Sequence, residues 1–320
     1  LVLRGEQVEL DGPLPDGIPT DRGILAAMEA LLERYTSPVV EDLPPLHGGM
    51  MGFLGYDVIR EVEHLPDTPE DDRAYPDAVM SVIGSLAAFD HWRQRVYLIE
   101  SVRTLGMTVA ELDAAYDAAV ERVEQAVHDL AQPLAYTPVE PPTPDDDLPT
   151  LESTMGNGTY QRAVEVAKEH VIAGDIFQVV LAQRFDLDLD ADAFDLYRVL
   201  RQVNPSPYMY FLRHGELEVV GGSPEPMVQL LDGRVISRPI AGTRKRGTTD
   251  DHDRRLAAEL VEHPKEIAEH VMLVDLARND VGRVVEFGSL EIDEMMTLER
   301  YSHVMHLTSQ VSGDLAEGRT

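Results

Sequence analysis

The chain has 320 residues, 43% of them hydrophobic, and no cysteine. That is enough apolar surface for one large or two medium domains, and it leaves neither a disulfide framework nor a thiolate nucleophile or metal ligand. Its 27 basic and 58 acidic side chains give a formal charge of −31, a field that repels phosphate backbones and anionic bilayers, so neither nucleic acid nor a membrane is expected as a partner.

In chain order, "TDRGILAAMEALLERY" predicts a helix, and "LHGGMMGFLGYDVIR" then sets Gly48, Gly49, Gly52 and Gly55 among large apolar residues. That spacing suits a close backbone approach; it lacks the strand–turn–helix setting and the Lys-Ser/Thr pair of nucleotide-binding loops. "AVMSVIGSLAAFDHWRQRVYLIESV" predicts two strands about a turn near residues 90–93, and "TVAELDAAYDAAVERVEQAVHDLAQ" a long amphipathic helix. No segment reaches the ~18–20 apolar residues that span a bilayer, the first residues lack a signal-peptide layout, and a reducing cytoplasm is the expected setting.

Residues 131–150, "AQPLAYTPVEPPTPDDDLPT", are rich in proline and aspartate and predict a linker between an N-terminal region, 1–130, and a second domain, 151–320. Beyond it Thr159 is placed to cap a helix that stops at Gly174. "IFQVVLAQRFDLDL" has strand character, with Gln178, Val180, Ala182 and Arg184 on one face. A helix around "FDLYRVLRQV" precedes two hairpins, one turning at His214-Gly215 and one at Asp232-Gly233, the latter suited to a type I′ turn. Two helices follow, and "SHVMHLTSQVSG" alternates as a strand. The expected fold is α+β, with helices flanking antiparallel sheets.

Several polar residues stand out. In "HPKEIAEHVMLVDLARND", Pro264 suits the first helical position and makes Glu266 a first-turn acid. Glu269 is followed by an apolar run that leaves it no wide polar face, which predicts burial. Two such glutamates are either solvated or a buried pair that needs a proton, a partner or a metal, and oxygen-only ligands favour Mg²⁺. Arg238, Arg244, Lys245 and Arg246 fall within nine residues of an acidic chain and read either as a solvated loop or as a site for an anion. Glu225 leaves a strand through the glycine-rich turn "GGSP"; Thr243 sits in "IAGT"; His306 alternates with Met305 and Leu307, as a structural or a catalytic histidine would. Singly, these residues do not define a reaction.

In combination and order, "DIFQVVLAQRF", "NPSPYMYFL", "GGSPEPMV", "RPIAGTRKRG", "HPKEIAEHVMLVDLARND" and "YSHVMHLTSQVSG" resemble the chorismate-utilising enzymes, most closely the anthranilate synthase large subunits. The strong part covers about residues 156–313; "GGMMGFLGYD" extends it more weakly. The resemblance implies antiparallel sheets packed orthogonally with helices outside, chorismate as substrate, Mg²⁺ as cofactor and a glutamine amidotransferase subunit that delivers ammonia. It implies Glu269 as a Mg²⁺ ligand with Glu266 beside it, and Glu225 as the acid that protonates the departing C4 hydroxyl. Gly242 and Thr243 are implied as substrate contacts, and His306 as serving the later pyruvate elimination. Asn204, Pro205, Pro207, Tyr208 and Met209 resemble one wall of a feedback site for tryptophan.

Relatives that form isochorismate carry a lysine where this chain has Gln178, and aminodeoxychorismate synthases often carry one in place of Ala241. Their absence favours amination at C2, with aminodeoxychorismate synthesis or a non-catalytic acidic binding module on the same fold as alternatives. An "LLES"-type tryptophan motif and a "PAGTLTGAPK"-like block are not in this sequence, so the expectation is a fold incomplete at both ends, its catalytic centre short of further glutamates and an arginine.

Overall fold

The computed structural model describes residues 1–319 apart from Glu6, Pro13, Leu14, Val39, Ala135, Pro144, Leu148 and Ser302. Three residues of the expected linker and Thr320, the last of the expected second domain, therefore lie outside the described residues. The chain divides into two compact units, Leu1–Pro138 and Val139–Thr320.

The first unit begins with strands β1 (Val2–Arg4) and β2 (Gln7–Glu9) and helix α1 (Gly23–Arg34), followed by β3 (Met50–Leu54), a 3-10 turn (Tyr56–Glu61) and β4 (Ala78–Val82). These strands form one antiparallel sheet in the order β2-β1-β4-β3. Ile24, Ala27 and Leu31, spaced three and four apart on α1, bury one helical face against Leu3, Val8, Ala78 and Met80. The glycine-rich segment does bring backbones together: a side chain on Gly52 would collide with the Val79 carbonyl.

The hairpin β5 (Ser85–Asp90) and β6 (Arg95–Glu100) turns where the sequence predicts, with Gln94 at φ 52°. The preceding apolar run does not join it. Gly84 interrupts the run, so "AVMSV" becomes β4 of the first sheet, and two expected strands become three. Helix α2 (Val109–Leu130) is fixed at its start by a capping box in which Thr108 and Glu111 satisfy each other's backbone N–H groups.

The second unit holds β7 (Glu152–Ser153), α3 (Thr159–Ala173), β8 (Phe185–Asp186), α4 (Ala193–Val203), β9 (Tyr208–His214), β10 (Leu217–Ser223), β11 (Gln229–Leu231), β12 (Arg234–Ser237), β13 (Ile240–Lys245), α5 (Asp250–Glu262), α6 (Pro264–Gly282), β14 (Glu291–Arg300) and β15 (Val304–Asp314). Thr159 is the first residue of α3 rather than its cap; Gly158, at φ 74°, precedes the helix, and Gly174, at φ 83°, ends it. The strand expected over "IFQVVLAQRF" is reduced to the two-residue β8, and Gln178, Val179 and Val180 are exposed. β-character without a neighbouring strand to accept its hydrogen bonds does not make a strand.

Both expected hairpins form. The β11–β12 turn uses Asp232 at φ 51° and Gly233 at φ 78°, as a type I′ turn requires. In the β9–β10 hairpin the register places Gly215 and Glu216 in the loop, one residue later than expected.

A five-stranded antiparallel sheet organises the unit. β15 is its central strand, pairing with β13 over its first half, with β12 over its second, and with β14 along most of its length. Helices α5 and α6 pack on it. Ala257 and Leu260 of α5 meet Met305 and Leu307; Val274, Ala277 and Val281 of α6 meet Val235 and Val311. The sequence pattern missed β14, because "EIDEMMTLER" lacks alternation and its ladder is broken by two register shifts, with Met296 at φ 53°. The architecture is therefore α+β with antiparallel sheets, as expected.

Leu307 is fully buried at the centre of this sheet. Leu307→Ala should destabilise the unit by about 2–5 kcal/mol, the range for deleting a buried leucine side chain, measured as a lower guanidinium midpoint at unchanged slope.

Candidate functional site

β13 carries one residue more than β15 can pair. Ala241 lies opposite Leu307 and Thr243 opposite His306, so Gly242 is the extra residue of a β-bulge, at φ +68°. In an unbroken strand Ala241 and Thr243 would share a face. The bulge changes that: Ala241 stays opposite the buried Leu307, while Thr243 falls opposite His306. The Thr243 hydroxyl and His306 Nδ1 are 3.0 Å apart. The Tyr301 ring meets the imidazole edge-on at 5.6 Å and 63°.

Glu225 follows the end of β10, where its N–H donates to the Ser223 hydroxyl, which donates back to the Glu225 carbonyl. Its side chain is half-buried and hydrogen-bonds the Ile240 backbone, two residues before the bulge. Burial pushes this carboxyl above its ordinary value, against the pull of that hydrogen bond.

Glu266 comes to the same stretch from α6. The buried stripe of that helix is Glu266, His270, Val274, Ala277 and Val281, at spacings of four, four, three and four, so Glu266 belongs to the core face. It is 9% exposed. Its Oε1 accepts from Arg244 Nη1 at 3.2 Å, and Arg244 also pairs with Glu259 of α5 at 3.2 Å. The bond from Glu266 helps to raise the Arg244 guanidinium above its ordinary value. The other oxygen, Oε2, lies 3.2 Å from where a side chain on Gly242 would begin, so glycine is needed there both for its φ and for its missing Cβ.

The burial expected of Glu269 is corrected by this stripe. Three residues on from Glu266, it leaves the core face; its side chain is 36% exposed and stands 3.9 Å from Lys265. The apolar run after it does not share its face, whereas the 3.6-residue stripe through His270 picks out Glu266. Residues 240–243 thus touch Glu225 at Ile240, Glu266 at Gly242 and His306 at Thr243, and Glu269 lies one turn from Glu266 along α6.

The basic island is neither a solvated loop nor an open anion site. Arg238 pairs with Glu299 at 2.7 Å and Glu294 at 3.7 Å, Arg244 with Glu259 and Glu266, and Arg246 with Asp253 at 2.7 Å. Arg246 also donates to the Tyr301 carbonyl at 2.7 Å and, from its backbone, to His303 at 3.0 Å. It therefore fixes the connection from β14 to β15, just ahead of His306. Only Lys245 of the four is exposed.

Asn204 is the C-cap of α4, and Tyr208 and Met209 open β9 opposite Ser223 and Gly222. Asn204, Pro205 and Pro207 thus lead into a strand hydrogen-bonded to the one that ends just before Glu225. Among the described residues no group of three His, Asp or Glu side chains is arranged to hold a metal ion, and no helix is long and apolar enough to cross a membrane.

The unit is antiparallel α+β, with acid, hydroxyl and imidazole side chains along one bulged strand. The sequence profile of the chorismate binding enzymes matches residues 20–320, and the chain belongs to that family. It is 42% identical over 328 residues to anthranilate synthase component 1 of Mycolicibacterium smegmatis, covering 100% of this chain and 62% of that protein. It is 43% identical over 291 residues to the chloroplastic anthranilate synthase alpha subunit 1 of Arabidopsis thaliana, covering 88% and 49%. The crystal structure of anthranilate synthase component I from Streptococcus pneumoniae superposes with a TM-score of 0.80 at 32% identity, over 100% of this chain and 67% of that one. The chain thus spans about three fifths of the length of the first curated relatives it matches.

The Arg246–Asp253 pair yields a pH test. Arg246 first, and the Gly247 N–H second, hold the Asp253 carboxyl down to about 2 from an ordinary 3.8. A depressed carboxyl stabilises the fold above the unfolded value and loses that contribution as pH falls. Wild type should therefore lose stability between about pH 4 and pH 2 through this group, and Asp253→Asn should show a shallower fall over that window in thermal melts.

Proposed function

We propose that the protein is the chorismate-converting component of an anthranilate synthase, aminating chorismate at C2 and eliminating pyruvate. The observation that carries this is the convergence of Glu225, Glu266 and His306 on residues 240–243. The relatives' names agree with it.

The first half-reaction adds ammonia at C2 and expels the C4 hydroxyl as water. Hydroxide leaves poorly without a proton, and Glu225 is the acid suited to give one, since burial keeps its carboxyl protonated to higher pH. In the second half-reaction the C2 proton departs to a base, the C3–O bond breaks and enolpyruvate takes up a proton as pyruvate, leaving the ring aromatic. His306 is the base in position, its Nδ1 engaged by Thr243. Gly242 and Thr243 are the substrate contacts of this reading. Gln178 is exposed, and Ala241 is 7% exposed; neither side chain can activate water or form a covalent adduct.

The donor set fits Mg²⁺. Glu266 and Glu269 supply hard oxygens one turn apart, Arg244 is bonded to Oε1 of Glu266 while Oε2 lies beside Gly242, and Mg²⁺ habitually completes its shell with water and substrate. When bound, the ion would neutralise and orient the substrate carboxylate. The further partners of this reading are a glutamine amidotransferase subunit as ammonia source and tryptophan as feedback inhibitor at Asn204, Pro205, Pro207, Tyr208 and Met209. Residues 1–130 and 151–320 serve as separate domains about the 131–150 linker, in a cytoplasmic protein.

The intact protein encoded by the reading frame, given chorismate, Mg²⁺ and ammonium, should yield anthranilate and pyruvate in equal amounts by fluorescence and a coupled assay. Isochorismate or 4-amino-4-deoxychorismate as main product would overturn the reading. Glu225→Gln should lower turnover by roughly 10²–10⁴-fold, the range for losing a general acid, and wild-type turnover in that variant would remove Glu225 from the mechanism.

A further inference from the structure

The proposed mechanism gives no task to the residues that stand behind His306. Tyr301 meets its ring edge-on at 5.6 Å. The Tyr301 hydroxyl donates to Glu299 Oε2 at 2.7 Å, and Arg238 donates to the other oxygen, Oε1, at 2.7 Å. Glu299 is itself the residue opposite His306 in the β14–β15 ladder. All three side chains are half-buried, so Arg238–Glu299–Tyr301 is a partly desolvated chain of charge-assisted hydrogen bonds that anchors the tyrosine whose ring packs on the imidazole. Its members titrate away from one another: burial opposes it, but Tyr301, Arg238 and Thr308 hold Glu299 below its ordinary value, while Glu299 pushes the Tyr301 phenol up to about 12. The phenol therefore stays a donor at neutral pH.

We propose that Tyr301 is a positioning residue for His306, its ring fixing the plane of the imidazole and its hydroxyl anchored by Glu299 and Arg238. Two restraints then act on His306. Thr243 engages Nδ1, and Tyr301 limits rotation about the bond that carries the ring. Nε2 is left as the atom that takes the proton, at a fixed angle. An imidazole free to swing would still bind Thr243 but would meet the C2 proton in a fraction of its orientations, and loss of alignment alone costs large factors in rate. The basic island acquires a purpose here: Arg238 holds the Glu299 carboxylate to which the Tyr301 hydroxyl donates, and Arg246 donates to the Tyr301 backbone carbonyl.

This proposal rests on His306 serving the elimination, so the experiment tests the two separately. In the intact protein, Tyr301→Phe keeps the ring edge and loses Glu299, Tyr301→Leu loses both, and His306→Ala is the benchmark. Product mixtures are resolved by chromatography, and His306 is followed by ¹⁵N spectroscopy of the imidazoles. Tyr301→Leu should raise the ratio of 2-amino-2-deoxyisochorismate to anthranilate by about tenfold or more, with KM for chorismate within about twofold and Tyr301→Phe intermediate. The Tyr301→Leu/His306→Ala double variant should be no worse than His306→Ala alone, because residues that act through one group are not additive. A wild-type product ratio in Tyr301→Leu, or effects that multiply in the double variant, would overturn the proposal. If His306→Ala itself leaves the ratio unchanged, the elimination role falls, and the spectra decide positioning alone: His306 resonances shifted in Tyr301→Leu sustain it, and unshifted ones end it. Should Tyr301→Leu not fold, Tyr301→Phe and Glu299→Gln give the same comparison through the anchor.

Discussion

The site depends on one backbone constraint, the left-handed Gly242 that inserts an extra residue into β13. A sheet has a two-residue side-chain period, so a single inserted residue reassigns every later side chain to the other face. Here it leaves Ala241 against the buried Leu307 and delivers Thr243 to His306. The same glycine lies against Leu260 and the Glu266 carboxylate, so the bulge can form only where helices α5 and α6 leave room for bare backbone. Core packing and site geometry are thus settled by one residue: Leu260, Met305 and Leu307 hold the helices on the sheet, and the sheet's single misregistration on β13 points the reactive groups.

Around that point the charges are arranged inward. An acidic chain would be expected to spend its few arginines on solubility or on an anion, yet Arg238, Arg244 and Arg246 each join two parts of the unit. Arg244 ties the bulged strand to Glu259 and Glu266 on the two helices, and Arg246 ties the strand's end to Asp253 and to the β14–β15 connection. Pairs this accessible contribute little each to stability. Their larger effect is geometric, since a guanidinium fork fixes direction as well as distance.

Much of this was legible in the sequence. The Asp232-Gly233 turn, the helix stop at Gly174 and the alternation of Met305, His306 and Leu307 each report a local preference that the structure keeps. Glu225, Thr243 and His306 could be singled out because polar residues beside glycine turns or within apolar strands are few. What could not be read was anything set by pairing partners. The strand over "IFQVVLAQRF" failed for want of a neighbour, β14 formed despite its charged sequence because β15 offered one, and the bulge itself leaves no mark on β13 beyond a glycine. Glu266, not Glu269, takes the buried place, because burial on a helix follows the stripe and not the nearest apolar run. The arginines' partners, fifteen to sixty-one residues away in sequence for Glu259 and Glu299, were invisible for the same reason.

The most direct test of the account is Gly242→Ala in the intact protein, read by turnover and thermal unfolding together. A methyl group there must share space with Leu260 and Glu266 at a φ that alanine disfavours, at a cost of about 1–3 kcal/mol. The account predicts a folded variant of lower melting temperature whose turnover falls by roughly 10²-fold or more, because Thr243, His306 and Glu266 are displaced together. A folded Gly242→Ala protein with turnover close to wild type would contradict it.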